Sequence, residues 1–441
     1  MEKLSRKDQL LVGVTLFSMF FGAGNLIFPP LLGYQAGVAS PAAFLGFAIS
    51  AIGLPILGVA AVARTGDLPT LAKRVGRPFA AVFTVLIYLS IGPCLAIPRT
   101  ASTSFEMAVT PFLPGGAPVL WLRAAYSLVF FAAALTLALR PTKLVDWLGK
   151  RLAPVLLALI AVLFFGCVFF GFSGADAAVG KYAAASPAVP AVQGFLDGYQ
   201  TMDAIAALIF GIVLAMNIRA RGVTQQNAVV KTTIRAGAVA AVLFAAVYGA
   251  LTWIGVVGGH AYGAGAQNGA EILTFVAKSL YGTAGQIILA AIFVIACLNT
   301  CIGLLCCCGE YFHELCPKFS YRAWVIAFAV FSGVVANAGL NMILKVSVPV
   351  LGCLYPVAIV LIVLAFLPAH LHETRPLLYP LTVALAGVTG VVAALADAKI
   401  VIPGVTALFS HLPLYAYGLS WLVPALVGLG IGLLVKKENR A

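Results

Sequence analysis

Apolar positions in this chain neither alternate nor follow the one-sided stripe of a soluble helix; they form long runs, with polar residues confined between them. A run of about 20 residues is long enough to cross a hydrocarbon core as a helix. Twelve such runs occur, at 10–37, 41–63, 78–108, 118–139, 151–173, 193–217, 226–257, 283–309, 322–339, 345–368, 376–396 and 413–435. The pattern predicts an all-α membrane protein of twelve transmembrane helices, a single domain over 1–441.

Composition agrees, with 62% hydrophobic and 9% charged residues, far from the soluble range. The first run is longer than a secretory h-region and no A-x-A-like site follows it, so it is expected to be retained. The net charge of +13 points to nucleic acid only if the basic residues cluster. They follow loop parity instead: 21 of the 27 Lys and Arg fall on one side of the predicted layout and four on the other. The positive-inside rule then puts both termini in the cytoplasm, which an even span count requires. The nine cysteines lack C-x-x-C spacing and are read as small apolar filler, with no transition-metal site expected.

Span 1 contains FFGAGNLIFPP at 20–30, an expensive stretch to place in lipid. Irregular backbone survives at that depth only when buried in protein or lining a cavity. Gly22, Gly24 and Asn25 lie about 20 Å into the span at 1.5 Å per residue, near the midplane. Glycine permits unwinding, Asn25 can cap a new helix, and prolines near a helix start cost little. Span 1 is therefore read as two half-helices. The second aims free N–H groups at the midplane and suits an anion. The first ends in unpaired carbonyls near 18–21 that suit a small cation. A plain Gly/Pro packing kink is the competing reading.

A counterpart stands five spans later, in GFLDGYQTMDAIAALIFG at 194–211, where Asp203 is an ionisable group deep in the membrane. Two interrupted segments at an odd interval predict inverted five-helix repeats, 1–175 and 190–370, followed by two helices over 371–441, with a substrate between spans 1 and 6. Asp203 is equally readable as a helix cap or a partner of Arg99. Asp197 is read as an ordinary acid at a helix N-terminus. In span 8, Ala296, Asn299 and Thr300 place one carbonyl and two oxygen-bearing side chains on adjacent turns, half the ligand set of a hard cation; interhelical hydrogen bonding is the plainer alternative. Arg99, about 21 residues into span 3, is placed near the outer boundary, as a gate pairing with Asp203 or Glu106 or as a snorkelling anchor.

With these residues in view the chain resembles the branched-chain amino acid:cation symporters of the BrnQ type, within the amino acid-polyamine-cation transporters. The motifs are FFGAGNLIFPP, IGPCLAIPRTASTSFE at 91–106, RPTKLVDWLGKRLAPVLL at 140–157, GFLDGYQTMDAIAALIFG and CLNTCIGLLCCCGEYF at 297–312. The resemblance implies sodium-driven uptake of leucine, isoleucine and valine across the bacterial cytoplasmic (inner) membrane, a proton being the alternative coupling ion, on a fold similar to that of the sodium-coupled leucine transporters. It implies that Gly22, Ala23 and Gly24 offer amides to the substrate carboxylate beside Asn25. Carbonyls of Ser18 and Phe21 with Ala296, Asn299 and Thr300 hold the cation. Substrate faces Tyr88 and 201–207, including Thr201, Asp203, Ala204 and Ala207. Relatives usually carry two hydroxyl residues in span 8 where this chain has Asn299 then Thr300, which bears on ion preference.

No H-E-x-x-H, G-x-S-x-G or Walker A sequence is present, so neither an enzyme nor an ATP-driven pump is expected. A carrier for another small zwitterion, or a channel, are the alternatives. No cofactor is expected, and the only partners are lipid and the small solute, with no nucleic acid and no obligatory protein. The segment 140–150, with Asp146 and Trp147, is read as a cytoplasmic interfacial stretch, and 174–190 and 256–269 as extracytoplasmic loops.

Overall fold

The computed structural model describes residues 4–139, 153–170, 172–183, 186 and 188–436. The interfacial stretch expected at 140–150 lies outside the described residues.

Nineteen helices are described: α1 (Arg6–Phe20), α2 (Ala23–Ala36), α3 (Ser40–Ala48), α4 (Leu54–Thr65), α5 (Leu68–Lys73), α6 (Arg77–Leu89), α7 (Ala96–Ala108), α8 (Val119–Ala138), α9 (Ala153–Phe169), α10 (Ala188–Tyr199), α11 (Asp203–Ala220), α12 (Gln226–Tyr262), α13 (Gly269–Leu315), α14 (Tyr321–Ala336), α15 (Leu340–Leu364), α16 (Ala369–Thr374), α17 (Leu378–Asp397), α18 (Val405–Ser410) and α19 (Leu422–Leu434). No strand occurs among the described residues. Among them, eight continuous helical stretches are long and apolar enough to cross a membrane, and α9, α14 and α19 are shorter apolar helices. Each of the twelve apolar runs coincides with one helix or with a broken pair.

Breaks interrupt the predicted spans where local chemistry permits. Span 1 parts between α1 and α2, and span 6 between α10 and α11. Span 3 passes from α6 to α7 through a π-turn over Ser90–Cys94, where Gly92 leaves the helical region and Pro93 offers no N–H. In α13, Gly282 at φ 57° separates an N-terminal arm from the run predicted at 283 onward. Two expectations are corrected. The helix α12 continues to Tyr262, so the loop read at 256–269 is shorter. Pro29 and Pro30 lie well inside α2 rather than at its start, so they leave the carbonyls four residues back, on Asn25 and Leu26, without intrahelical partners.

The broken spans are wedged against neighbours at backbone distance. A Cβ on Gly46 of α3 would stand 1.8 Å from the Ala191 carbonyl of α10, and one on Gly255 of α12 would stand 2.1 Å from the Pro30 carbonyl of α2. Small residues permit this approach, and dispersion between close backbones is what holds helices together where lipid removes the hydrophobic drive. Large apolar side chains such as Trp121, Leu128, Phe169 and Val334 are exposed on the outer surface, as a lipid-facing surface requires.

Candidate site at the paired helix breaks

The backbone around Gly22 carries the first half of the site. α1 ends at Phe20 and is capped by Phe21, whose N–H reaches the Phe17 carbonyl. The next helix begins after Gly22, which is extended at φ −134° and ψ −156°, and whose N–H donates to Asn25 Oδ1 at 2.9 Å. Asn25 caps its own helix start and has its amide nitrogen left to spend. That Nδ2 donates to Asp203 Oδ2 at 2.5 Å and also contacts the Tyr248 hydroxyl. Tyr248 of α12 in turn donates to Asp203 Oδ2 at 3.1 Å.

Asp203 opens α11, directly after Met202, which takes the left-handed conformation at φ 68°. Thr201 bends the chain by donating its hydroxyl to the Gly198 carbonyl at 2.9 Å. Asp203 is 3% exposed, and its described side-chain hydrogen bonds all come from neutral groups. Asp197 lies in the last turn of α10, not at a helix N-terminus, and accepts from Lys181 and from the Tyr182 hydroxyl.

Arg99 departs from its sequence reading. It is 3% exposed and faces the breaks instead of the outer boundary. Nη1 donates to the Gln200 carbonyl at 2.8 Å and Nη2 approaches the Thr201 carbonyl at 3.4 Å. It forms no ion pair with Asp203 or Glu106; Glu106 pairs with Arg123 at 3.2 Å. Residue counting along span 3 does not give the direction of a side chain, and the π-turn at 90–94 with its non-helical Gly92 changes the helical phase before Arg99.

On the other flank, α13 brings Asn299 and Thr300 against the end of α1. Asn299 Nδ2 donates to Ser18 Oγ at 3.2 Å. A Cβ on Gly22 would fall 2.5 Å from Thr300 Oγ1. Asn299 Oδ1 and Thr300 Oγ1 are both buried without a hydrogen-bond partner. Ser18, Phe21 and Ala296 are fully buried in the same region. Unsatisfied oxygens at the carbonyl end of a helix are a donor set that fits a hard monovalent cation and no soft metal.

Between these groups lies an internal cavity of about 20 Å³, room for little more than a water molecule. Gly22, Ala23, Gly24, Asn25, Arg99, Thr100, Thr201, Asp203 and Thr300 line it, with Phe20, Ile91, Ala206, Phe210 and Leu304 as its apolar wall. Three residues expected to face substrate do not line this cavity. Tyr88 stacks on Tyr311 at 3.9 Å. Ala207 packs against Gly58 of α4, where an added Cβ would come within 2.8 Å, and the Ala204 carbonyl points the same way. Ala206 is the α11 alanine that lines the cavity. Tyr248 escaped sequence reading, although a tyrosine hydroxyl at mid-span in an apolar run signals a buried partner.

The comparisons bear on what this arrangement serves. Among solved structures, Mhp1, a nucleobase-cation-symport-1 family transporter in a closed conformation with bromovinylhydantoin bound, superposes with a TM-score of 0.58 at 14% identity, covering 97% of this chain and 91% of its own. MhsT in complex with L-phenylalanine gives 0.57 at 15% identity, over 98% of each chain. At that identity the likeness establishes the fold, which is the broken-helix transporter architecture. Branched-chain amino acid permease BraB of Bacillus subtilis is 39% identical, over 97% of this chain and 95% of its own length. The branched-chain amino acid transport system 2 carrier protein of Pseudomonas aeruginosa is 41% identical, over 97% and 96%. The family model described as branched-chain amino acid transport protein matches residues 5–439. The chain is thus a multi-pass membrane transporter, not an enzyme, and it belongs to the branched-chain amino acid transport protein family.

Proposed function

We propose that this transporter imports leucine, isoleucine and valine across a bacterial cytoplasmic membrane together with sodium, by alternating access, with both termini in the cytoplasm. The observation that carries the reading is the convergence of two helix breaks on one small cavity that Thr300, with its unsatisfied buried hydroxyl oxygen, also lines. The start of α2 offers Ala23 and Gly24 amides and a positive dipole end to a carboxylate. Oxygens of Ser18, Phe21, Ala296, Asn299 and Thr300 surround the cation. The apolar wall, with Phe20 edge-on to Phe210 at 5.3 Å, suits an aliphatic side chain. Inverted repeats over 1–175 and 190–370 supply the two arrangements of the same site.

Coupling follows from shared backbone. A cation that clasps the end of α1 against α13 fixes the junction whose amides hold the substrate, so each ligand raises the affinity of the other. The cavity is too small for leucine, so binding requires outward movement of its wall. A larger void of about 580 Å³, bordered by Phe28, Tyr199 and Gln200, lies next to the Arg99 contacts and is the approach route. A proton as coupling ion is the second reading, favoured by the buried carboxylate of Asp203 with neutral donors around it.

Purified protein in sealed vesicles separates these. Sodium coupling predicts labelled leucine accumulating under an inward sodium gradient, with collapse when the gradient is removed. Accumulation under a proton gradient alone, without sodium, overturns sodium coupling in favour of the proton. No concentrative uptake under either gradient contradicts coupled import altogether.

A further inference from the structure

Arg99 is a buried guanidinium with no carboxylate. Its described partners are two backbone carbonyls at the break of span 6, one of them at 3.4 Å, and its Nε is buried without any partner. An arginine side chain has five N–H donors, so the fork of this cavity-lining residue is not fully spent. A buried cation left this way is costly unless an anion completes it.

The surroundings sharpen the point. A Cβ on Gly24 would lie 2.8 Å from Arg99 Nη2, so the missing side chain is what admits the guanidinium to the first turn of α2. That turn is the positive end of a helix dipole, and a cation placed there alone is electrostatically unfavourable. An anion held between the two reverses the sign of both interactions. The ring of Phe28, 5.9 Å from the guanidinium carbon, covers another side of the group. Asp203 also lines the cavity, without an ion pair to Arg99. The lining thus carries one basic and one acidic side chain, the complement of a zwitterion.

We propose that Arg99 is the counter-ion of the substrate α-carboxylate, gripping it through its free Nε edge while the first amides of α2 take the remaining oxygen lone pairs, and that Asp203 faces the α-ammonium. This rests on the import reading above and specifies how the same site tells an amino acid from an amine. Backbone amides can bond the oxygen of either a carboxylate or a carboxamide; a guanidinium adds discrimination by charge and by bidentate shape.

The test measures labelled leucine uptake by the full-length protein in vesicles, with unlabelled leucine and leucinamide as competitors, for the wild type, Arg99→Lys, Arg99→Gln and Gly24→Ala. The expected wild-type preference for leucine over leucinamide is about 100-fold, of the size that a charge-assisted bidentate pair provides. Arg99→Gln narrows that ratio below about tenfold and raises the half-saturating leucine concentration, and Arg99→Lys restores part of it. Gly24→Ala displaces the guanidinium and narrows the ratio with Arg99 still present, so the prediction remains readable if Arg99→Gln does not fold. If Arg99 only clamps the break of span 6, the variants lower maximal uptake while the leucine-to-leucinamide ratio stays at the wild-type value, which overturns the proposal and leaves import standing. Absence of leucine uptake by the wild type overturns import itself.

Discussion

The two helix breaks solve one problem by different means. At span 1 the interruption is written into the backbone: Gly22 supplies an extended conformation, and Asn25 three residues later satisfies its N–H. At span 6 a non-glycine residue, Met202, is held left-handed at φ 68°, and the adjacent charge of Asp203 is met from two other helices through Asn25 and Tyr248. The first break is local and the second is tertiary. The side chain of the first completes the second, so the junctions behave as one unit.

This contrast predicts a ranked set of effects. Gly22→Ala is expected to do most damage. Its backbone angles suit alanine, yet the new Cβ lands 2.5 Å from Thr300 Oγ1. Overpacking of about 1–3 kcal/mol corresponds to a loss of roughly five- to 150-fold in affinity. Leucine uptake, with size-exclusion profiles as a check on folding, measures it; wild-type uptake would show that the span 1 junction tolerates a side chain. Tyr248→Phe comes next, removing a donor from Asp203 and leaving Asn25 as its partner. The expected cost is about tenfold in leucine affinity. Combined with Asn25→Ala it should be clearly less than additive, since both act through one carboxylate; strict additivity would mean that the breaks are independent. Met202→Gly is the mildest. Relief of a left-handed side chain is worth about 1 kcal/mol, seen as a higher melting temperature with uptake little changed. A lower melting temperature would show that the Met202 side chain, 3% exposed, contributes more by packing than its backbone costs.

The same contrast explains what could be read in the sequence. FFGAGN announces its break because glycine and asparagine are residues of interruption, and the twelve apolar runs announce the helices. Asp203 stands out because charge is rare in lipid. Depth and direction were less legible. The direction of Arg99 is not readable from residue counting, because the π-turn at Ser90–Cys94 changes the helical phase ahead of it. In α11, Ala204, Ala206 and Ala207 are indistinguishable by type, and the close approach of Gly58 of α4 decides which of them can face the cavity. Tyr248 is one of fourteen tyrosines, identified only when folding brings α12 against both breaks.

The central claim is that cation and substrate share the span 1 junction, and equilibrium binding tests it most directly. Labelled leucine is titrated onto purified protein with and without sodium, for the wild type and Thr300→Ala. The account predicts that sodium tightens leucine binding by about tenfold or more in the wild type, within the usual range of coupling energies, and has no effect in Thr300→Ala. Equal leucine affinity with and without sodium in the wild type would contradict it.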